Sequence, residues 1–436
     1  MLIMLNIWHI SYLMGNLMEA ARRWNDSNLN LFKPRRKKPS FGPTLFRSCS
    51  WQIMEQNNIA EPLAPVELNQ DCLLEILSWL PAKSICKLRC LNKSTSDHYF
   101  DHLLQKLQTL RARTDSGIFV HTGSSFSSFK EFFLSSSSGV PPESIEFMLK
   151  KSRKIVASSN GLIVFQTNCS STSSMGDLCV FNPVLRTLAP ISSPPDVSLV
   201  DEPRISVTCT STNDGLEYNI ILVTMKPGEH PYEWRTILEC RCYSSKNMSW
   251  EYLKAIDDLG RRGINFENPV FVSGSIFWAS DTGSYMRNTD PYILVFDVEK
   301  RTSEFMSLPE EAQKISIDNY KIQVAPWTDK SLCLIQYIKS RAVVIWVMES
   351  PVSRGSWMKV HEVDLVSLGL GDVHQTLDSF TIINSKLLVF TIEDCLYTYS
   401  LKDKQMSKLG EHNQGLYPQL RPYANTFHPC GKFENK

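Results

Sequence analysis

The chain has 436 residues, of which 42% are apolar and 21% are charged, and its formal net charge is +1. This length leaves room for two or three domains, and the composition is that of a soluble globular protein. Twelve cysteines occur without any C-x-x-C pair, and the nine histidines show no zinc-ligand spacing relative to them, so we expect reduced thiols and no metal site.

Residues 1–60 form a basic leader that carries eight Lys/Arg against three Asp/Glu. Its cluster Lys33–Pro39 is of the kind that importins or phosphate backbones bind. The apolar run Met1–Met18 is interrupted by polar residues and is too short to span a membrane. We therefore expect 1–60 to be a disordered leader or an upstream extension, with Met54 as an alternative start, and no membrane segment.

The next stretch, 66–106, predicts a small helical unit. The first helix has an apolar face at i, i+3, i+4 and i+7 spacing, formed by Leu73, Ile76, Leu77 and Leu80. After Pro81 a second helix, about 82–92, adds Ile85, Leu88 and Leu91. About forty residues cannot bury so many apolar side chains by themselves, which indicates a partner protein.

The order Leu68-x4-Leu-Leu-Glu-Ile-Leu-Ser-x-Leu-Pro-Ala-Lys-Ser-Ile-Cys-Lys-Leu-Arg-Cys90 closely resembles the F-box. The resemblance implies docking on a Skp-type adaptor and, through it, on a cullin–RING ubiquitin ligase. The adaptor-binding residues that it implies are Leu68, Leu73, Ile76, Leu77, Leu80, Pro81, Ile85, Leu88 and Leu91. The sequence departs from the family pattern in three respects. Asn69 replaces a proline, Thr95 replaces a tryptophan, and the segment after Thr95 is short.

Beyond the F-box-like stretch, a helix is predicted for 103–113, a serine-rich loop for 124–138, and an amphipathic helix for 144–151. We expect Ile145, Met148 and Leu149 on the buried side of that second helix. Short β-type runs separated by Ser, Gly, Pro and Asn then follow to the end of the chain. The predicted strands are 162–167, 178–181, 205–210, 218–224, 237–243, 270–279, 293–298, 331–338, 342–348 and 387–392.

A repeat decides the predicted architecture. Its unit is an aromatic residue at the end of an apolar run, followed by a polar turn with Lys or Arg and then a second short strand. The anchor aromatics are separated by 62, 53, 50 and 53 residues, a period that suits a four-stranded propeller blade. These anchors are Phe181, Tyr243, Phe296, Trp346 and Tyr399.

Tight turns precede three of these units, at Asn160-Gly161, Ser273-Gly274 and Asn384-Ser385. Five units are recognisable, and 117–134 together with C-terminal strands would supply a sixth, so that no sheet edge stays open. The succession of motifs resembles plant F-box proteins with an associated kelch-like domain. The predicted fold is thus a small all-α F-box followed by an all-β propeller of about six blades over 114–430. No Gly-Gly pair occurs, so regular kelch repeats are not expected.

No catalytic motif is evident. The acidic pairs Asp257-Asp258 and Glu310-Glu311 lie in turn-like contexts, and Trp278, Trp346 and Trp357 are expected in blade cores. We therefore expect no enzyme activity, no cofactor and no nucleic-acid partner. The resemblance implies a substrate receptor of an SCF-type ubiquitin ligase, located in cytoplasm and nucleus, with an unknown target protein on the propeller. The alternative is a propeller scaffold whose divergent F-box no longer binds the adaptor.

Overall fold

A computed structural model describes residues 70–88, 102–111, 117–122, 129–133 and, with internal gaps, 139–433. The gaps are 168–176, 195–203, 213–214, 228–235, 258–261, 284–288, 316–319, 354, 371, 373–375 and 413–417. The predicted leader 1–60, together with Leu68 and Leu91, lies outside the described residues. The chain divides into two compact units, 1–76 and 77–436. Of the first, the structure describes the helical residues 70–76.

Five α-helices occur in the described residues: α1 (Gln70–Ser78), α2 (Ala82–Leu88), α3 (His102–Arg111), α4 (Pro142–Lys151) and α5 (Glu310–Gln313). Helices α1, α2 and α3 confirm the predicted helical segments in this part of the chain. The pair Glu310-Glu311 begins α5 and does not lie in a loop, which corrects the turn-like context that the sequence suggested. In the described part of the chain, no helix is long and apolar enough to cross a membrane.

The described residues also form 24 strands in six antiparallel sheets, which are the blades of a propeller. Blade 1 combines β1 (Gly117–Thr122) and β2 (Phe129–Phe133) with β23 (Pro418–Tyr423). Blade 2 contains β3 (Ser152–Ser159), β4 (Leu162–Thr167), β5 (Leu178–Asn182) and β6 (Thr187–Ile191), with β24 (Lys432–Phe433) outside β6. Blade 3 contains β7 (Arg204–Thr212), β8 (Gly215–Pro227), β9 (Thr236–Ser244) and β10 (Ser249–Asp257).

Blade 4 contains β11 (Val270–Val272), β12 (Ser275–Ala279), β13 (Tyr292–Asp297) and β14 (Thr302–Ser307). Blade 5 contains β15 (Tyr320–Thr328), β16 (Ser331–Ile338), β17 (Ala342–Glu349) and β18 (Trp357–Asp364). Blade 6 contains β19 (Phe380–Ile383), β20 (Leu387–Ile392), β21 (Cys395–Ser400) and β22 (Met406–Glu411). The predicted strand 270–279 is therefore a hairpin, because Ser273-Gly274 turns the chain between β11 and β12.

The six blades close into a ring. The first strand of each blade, and β23 of blade 1, contacts the corresponding strand of the next blade all the way round. A separate apolar cluster fills each of the six interfaces between neighbouring blades. Blade 1 joins the N-terminal strands β1 and β2 to the C-terminal strand β23, which confirms the predicted sixth unit. Ring closure therefore depends on both ends of the domain.

The anchor aromatics occupy one equivalent position, on the third strand of their blades. Each pairs across the sheet with a fully buried aliphatic residue of the second strand, namely Ile163, Ile220, Ile276, Leu334 and Leu388 in blades 2 to 6. Each anchor belongs to the apolar cluster shared with the preceding blade. The sequence period thus reflects one large side chain per blade interface, where burial of apolar area stabilises the ring.

The tight turns have the predicted backbone. Asn160 and Gly161 have φ of 48° and 84°, and Ser273 and Gly274 have the same two values. Asn384 and Ser385 have φ of 54° and 55°. At 160–161 and 273–274 two successive residues with positive φ match the right-handed twist of the flanking strands, as two-residue hairpin turns require. The third turn has three residues, 384–386, between the paired Ile383 and Leu387.

Strand direction gives the propeller two different faces. The turn face carries the connections between the first and second and between the third and fourth strands of a blade, at 160–161, 183–186, 245–248, 273–274, 298–301, 329–330, 350–356, 384–386 and 401–405. The loop face carries the connections between the second and third strands and those from one blade to the next. Connections there span up to 15 residues, at 365–379, against at most seven at the turn face, at 350–356.

Two local predictions were wrong. The serine-rich stretch 124–138 contains β2, whose partner β1 supplies the pairing that its own composition does not suggest. In α4, Met148 is fully buried as predicted, but Leu149 is 50% exposed and Ser144 takes an inner position. The hydroxyl of Ser144 donates to the Pro183 carbonyl at 2.6 Å, so a polar contact fixes this end of α4 on blade 2.

Candidate functional site: adaptor helices and the propeller

The predicted adaptor-binding residues occupy α1, α2 and the turn between them. Pro81 is exposed, Ile76 and Leu80 are half-buried, and Leu77 and Ile85 are buried within the chain. Leu73 and Leu88 belong to α1 and α2, respectively, and their side chains are not described. The turn at Leu80-Pro81 is therefore the part of the predicted surface that is most open to a partner.

Trp79 is a further surface residue that the sequence reasoning did not assign to the adaptor site. It follows α1 directly and is 62% exposed. The Arg111 guanidinium lies over its ring, 4.7 Å from the centroid, and also donates a hydrogen bond to the Ser78 hydroxyl. A large exposed indole beside Leu80 and Pro81 extends the apolar surface around the turn.

The C-terminal segment, residues 424–431, lies on the turn face and is almost wholly buried. The Asn182 side chain is 0% exposed and donates to the carbonyls of Thr426 and His428, at 3.0 and 2.7 Å. Its oxygen accepts from the amides of Val184 and Leu185. Asn182, which directly follows the anchor aromatic Phe181, thus attaches the C-terminal segment to blade 2.

Close packing accompanies these hydrogen bonds. The Thr426 hydroxyl donates to the Asn160 carbonyl at 2.6 Å, directly beside the turn at Gly161. A Cβ atom at Gly161 would collide with the Thr426 side chain, so both the positive φ and the contact require glycine there. Phe427 and Cys430 are buried in the same segment.

The inner strands of all six blades surround a central cavity of about 380 Å³. Towards the loop face, Arg421 of blade 1 donates to Glu267 Oε2 at 2.8 Å and to Asn268 Oδ1 at 3.1 Å. These acceptors precede β11 of blade 4, the blade opposite in the ring. Lys154 of blade 2 lies 3.7 Å from the other Glu267 oxygen. The group therefore connects three blades across the channel.

Burial dominates the electrostatics of this group. It lowers the pKa of the Arg421 guanidinium, and the neighbouring Glu267 carboxylate opposes that effect. The adjacent His121 is 2% exposed, and its two ring nitrogens make no hydrogen bond to the described part of the chain. Burial, followed by the charges of Lys154 and Arg421, lowers the His121 pKa to about 4. The imidazole is therefore neutral at pH 7, as a histidine beside two cations should be.

The remaining chemistry is that of a structural core. Nine described cysteines form no disulfide, and burial raises the pKa of Cys240 to about 12 and that of Cys242 to about 11, so these thiols are weak nucleophiles. Over the described residues, no group of His, Cys, Asp and Glu has a metal-binding arrangement. Trp278 and Trp346 lie in blade cores and Trp357 packs against one, as predicted.

Six blades closed by strands from both ends of the domain, preceded by short helices, define a propeller protein with an N-terminal helical motif. Family models match both parts: the F-box domain over 66–98 and the F-box associated beta propeller domain over 131–426. The chain belongs to the family of F-box proteins that carry this propeller domain. An F-box implies binding to a Skp adaptor in a ubiquitin ligase complex. No curated protein matches this sequence.

The solved structures that match show only distant similarity. An oligogalacturonate lyase from Vibrio parahaemolyticus is 10% identical, with a TM-score of 0.35 over 68% of this chain and 80% of that one. Prolyl oligopeptidase B from Galerina marginata is 11% identical, with a TM-score of 0.35 over 67% and 40%. The propeller domain of the Trilobed protease from Pyrococcus furiosus is 11% identical, with a TM-score of 0.32 over 57% and 65%.

Proposed function

We propose that this protein is the substrate-recognition subunit of an SCF-type ubiquitin ligase. The F-box helices bind the Skp adaptor, and the propeller binds a target protein for ubiquitination. The subunit itself forms no bond, because its effect is to raise the local concentration of target lysines near the charged ubiquitin-conjugating enzyme. The observation that carries this proposal is the joining of an F-box to a closed propeller in one chain.

The loop face is the proposed target-binding surface. On the turn face, α3 and the C-terminal segment already cover part of the propeller. The loop face has the longer connections, and loops held by a rigid scaffold can vary in sequence without loss of the fold. We propose that the protein acts in the cytoplasm and the nucleus, where its basic leader would support import.

The adaptor site can be tested at the exposed turn, because substitution of the buried Leu77 would also disturb the fold. Leu80→Asp combined with Pro81→Ala should abolish co-purification with a Skp adaptor and cullin. Loss of one buried leucine contact costs about 1.5–3 kcal/mol, roughly 10- to 150-fold in affinity, and a buried carboxylate costs more. Leu149→Asp, at a half-exposed leucine of α4, is the matched control.

The control should bind the adaptor as the wild type does. If the double variant still co-purifies with adaptor and cullin, the predicted surface is wrong. If the wild type binds no adaptor at all, the protein is instead a propeller scaffold with an inactive F-box, as the departures at Asn69 and Thr95 would allow.

A further inference from the structure

Helix α3 is attached to the propeller by the side chain of Gln108. This side chain is fully buried, and its Nε2 donates to the Asn425 carbonyl at 3.5 Å while its Oε1 accepts from the Phe427 amide at 3.0 Å. One amide side chain thus pairs with the backbone of the C-terminal segment in the way a neighbouring strand would. The bonded residues are 317 and 319 positions apart in sequence.

The C-terminal segment is a fixed part of the propeller and gives Gln108 a rigid partner. Asn182 holds the carbonyls of Thr426 and His428, and the Thr426 hydroxyl holds the Asn160 carbonyl. The Cys430 thiol donates to the Thr187 carbonyl at 3.2 Å. Movement of this segment would break several buried hydrogen bonds at once, each costly to leave unmade.

The last residue of α3, one turn beyond Gln108, contacts the end of α1. Arg111 donates to the Ser78 hydroxyl and lies over the Trp79 ring, directly before the Leu80-Pro81 turn. Two residues of α3 therefore make the two contacts: Gln108 contacts the propeller, and Arg111 contacts the proposed adaptor surface one helical turn later. A single helix that makes both contacts can hold the propeller and the Leu80-Pro81 turn in one relative orientation.

We propose that Gln108 is a positioning residue, which holds α3 against the C-terminal segment and so fixes the propeller relative to the adaptor-binding turn. This inference rests on the proposed function. Ubiquitin transfer needs a lysine within reach of the conjugating enzyme, so a rigid attachment restricts which lysines are modified. A loosened attachment would leave adaptor binding intact and widen that set of lysines.

The experiment uses the full chain with Gln108→Met, which keeps the side-chain volume and removes both hydrogen bonds. Gln105→Met is the matched control, since Gln105 lies on the same helix, is 8% exposed, and makes no hydrogen bond to the described part of the chain. Each protein is assembled with adaptor, cullin–RING ligase and conjugating enzyme. Mass spectrometry then maps which propeller lysines receive ubiquitin.

Exposed lysines are available on both faces. They are Lys246, Lys300, Lys330, Lys386, Lys402 and Lys404 on the turn face and Lys314 and Lys339 on the loop face. In the wild type and in Gln105→Met, the same few lysines should receive much more ubiquitin than the others. In Gln108→Met the ratio between the most and least modified lysines should fall severalfold, with unchanged adaptor affinity. Hydrogen exchange should quicken in α3 and 424–431 and stay unchanged in blades 4 and 5.

An unchanged lysine pattern in Gln108→Met, with faster exchange in α3, would overturn the positioning role and leave the proposed function standing. A wild type that binds no adaptor would overturn both. If Gln108→Met lowers the melting temperature of the propeller, Gln108→Asn replaces it. That variant keeps an uncharged amide but is one methylene shorter, so it cannot make both hydrogen bonds. Its pattern should then lie between those of the wild type and Gln108→Met, and a pattern identical to the wild type would count against the inference.

Discussion

Gly117 shows how one residue permits closure of blade 1. It lies opposite Tyr423 in the β1–β23 register, and the Tyr423 ring crosses it to donate a hydrogen bond to Glu131 of β2. Phe119 stacks on the same ring, with centroids 4.5 Å apart. One tyrosine thereby covers a glycine and links all three strands of the blade, a known way to stabilise glycine in a sheet.

Gly117→Ala should destabilise the propeller by about 1–3 kcal/mol, the usual cost of overpacking a core. A Cβ atom there would lie 2.6 and 2.7 Å from two ring carbons of Tyr423, so the ring must move and the bond to Glu131 must break. Chemical denaturation measures the loss. Tyr423→Leu removes the obstacle, so Gly117→Ala should cost much less in that background. Equal costs in both backgrounds would show that the ring is not the cause.

His121 should make stability fall in mild acid. Its folded-state pKa of about 4 lies below the ordinary 6.5, so the unfolded chain binds the proton first. Stability is therefore fully present above pH 6.5 and is lost as the pH falls towards 4, by up to about 3 kcal/mol. His121→Gln should remove most of this dependence when unfolding free energies are compared between pH 7 and pH 4.5.

The control for His121 is His361→Gln on the outer strand β18. Burial also lowers the His361 pKa, but the side chain is only half-buried, so solvent screens its contribution. This substitution should change the pH dependence far less. A wild type whose stability is flat between pH 7 and pH 4.5 would contradict the neutral, buried imidazole.

At the scale of elements, the sequence predicted strands best where both faces are buried. Strands β4, β16 and β20 have the predicted bounds, because nearly all of their residues are apolar and buried. Outer strands such as β14 and β22 were predicted only as the second short strand of the repeat unit, without bounds. Their residues are exposed or half-buried, so no apolar alternation marks them in the sequence.

Elements whose partners are distant in sequence were the hardest to predict. Strand β2 lies in a serine-rich stretch, and its place is determined by pairing with β1, which in turn pairs with the C-terminal β23. The C-terminal segment 424–431 shows no repeat signal, yet Asn182 and Gln108 bury it through hydrogen bonds across more than 240 residues. Local pattern cannot reveal such contacts, since the partner residues share no periodicity.

For the molecule as a whole, the ring was predictable because its period repeats, whereas the connections across the ring were not. Five anchor aromatics at similar spacing imply equal blades, and the structure contains them at one position in each. The Arg421–Glu267 contact joins opposite blades over 154 residues, and neither residue stands out in the sequence. Because Arg421 is buried, its guanidinium depends on Glu267 for a charged partner.

Ring closure by β23 should decide whether the propeller folds at all. A chain that stops after Glu411 lacks β23, so blade 1 keeps only β1 and β2 and loses its innermost strand. The inner strands of blades 2 and 6 then lose their neighbour, Glu267 loses its partner Arg421, and open strand edges are exposed. This truncated chain should aggregate or unfold without a cooperative transition in a thermal melt.

A chain that stops after Gly431 is the control for that truncation. It removes β24, which pairs at only two positions with β6, and keeps β23 and the C-terminal segment 424–431. Because the ring stays closed, this chain should remain monomeric and melt cooperatively, close to the temperature of the full chain. If the chain ending at Glu411 also melts cooperatively as a monomer, five blades suffice for folding and closure by both ends of the domain is not required.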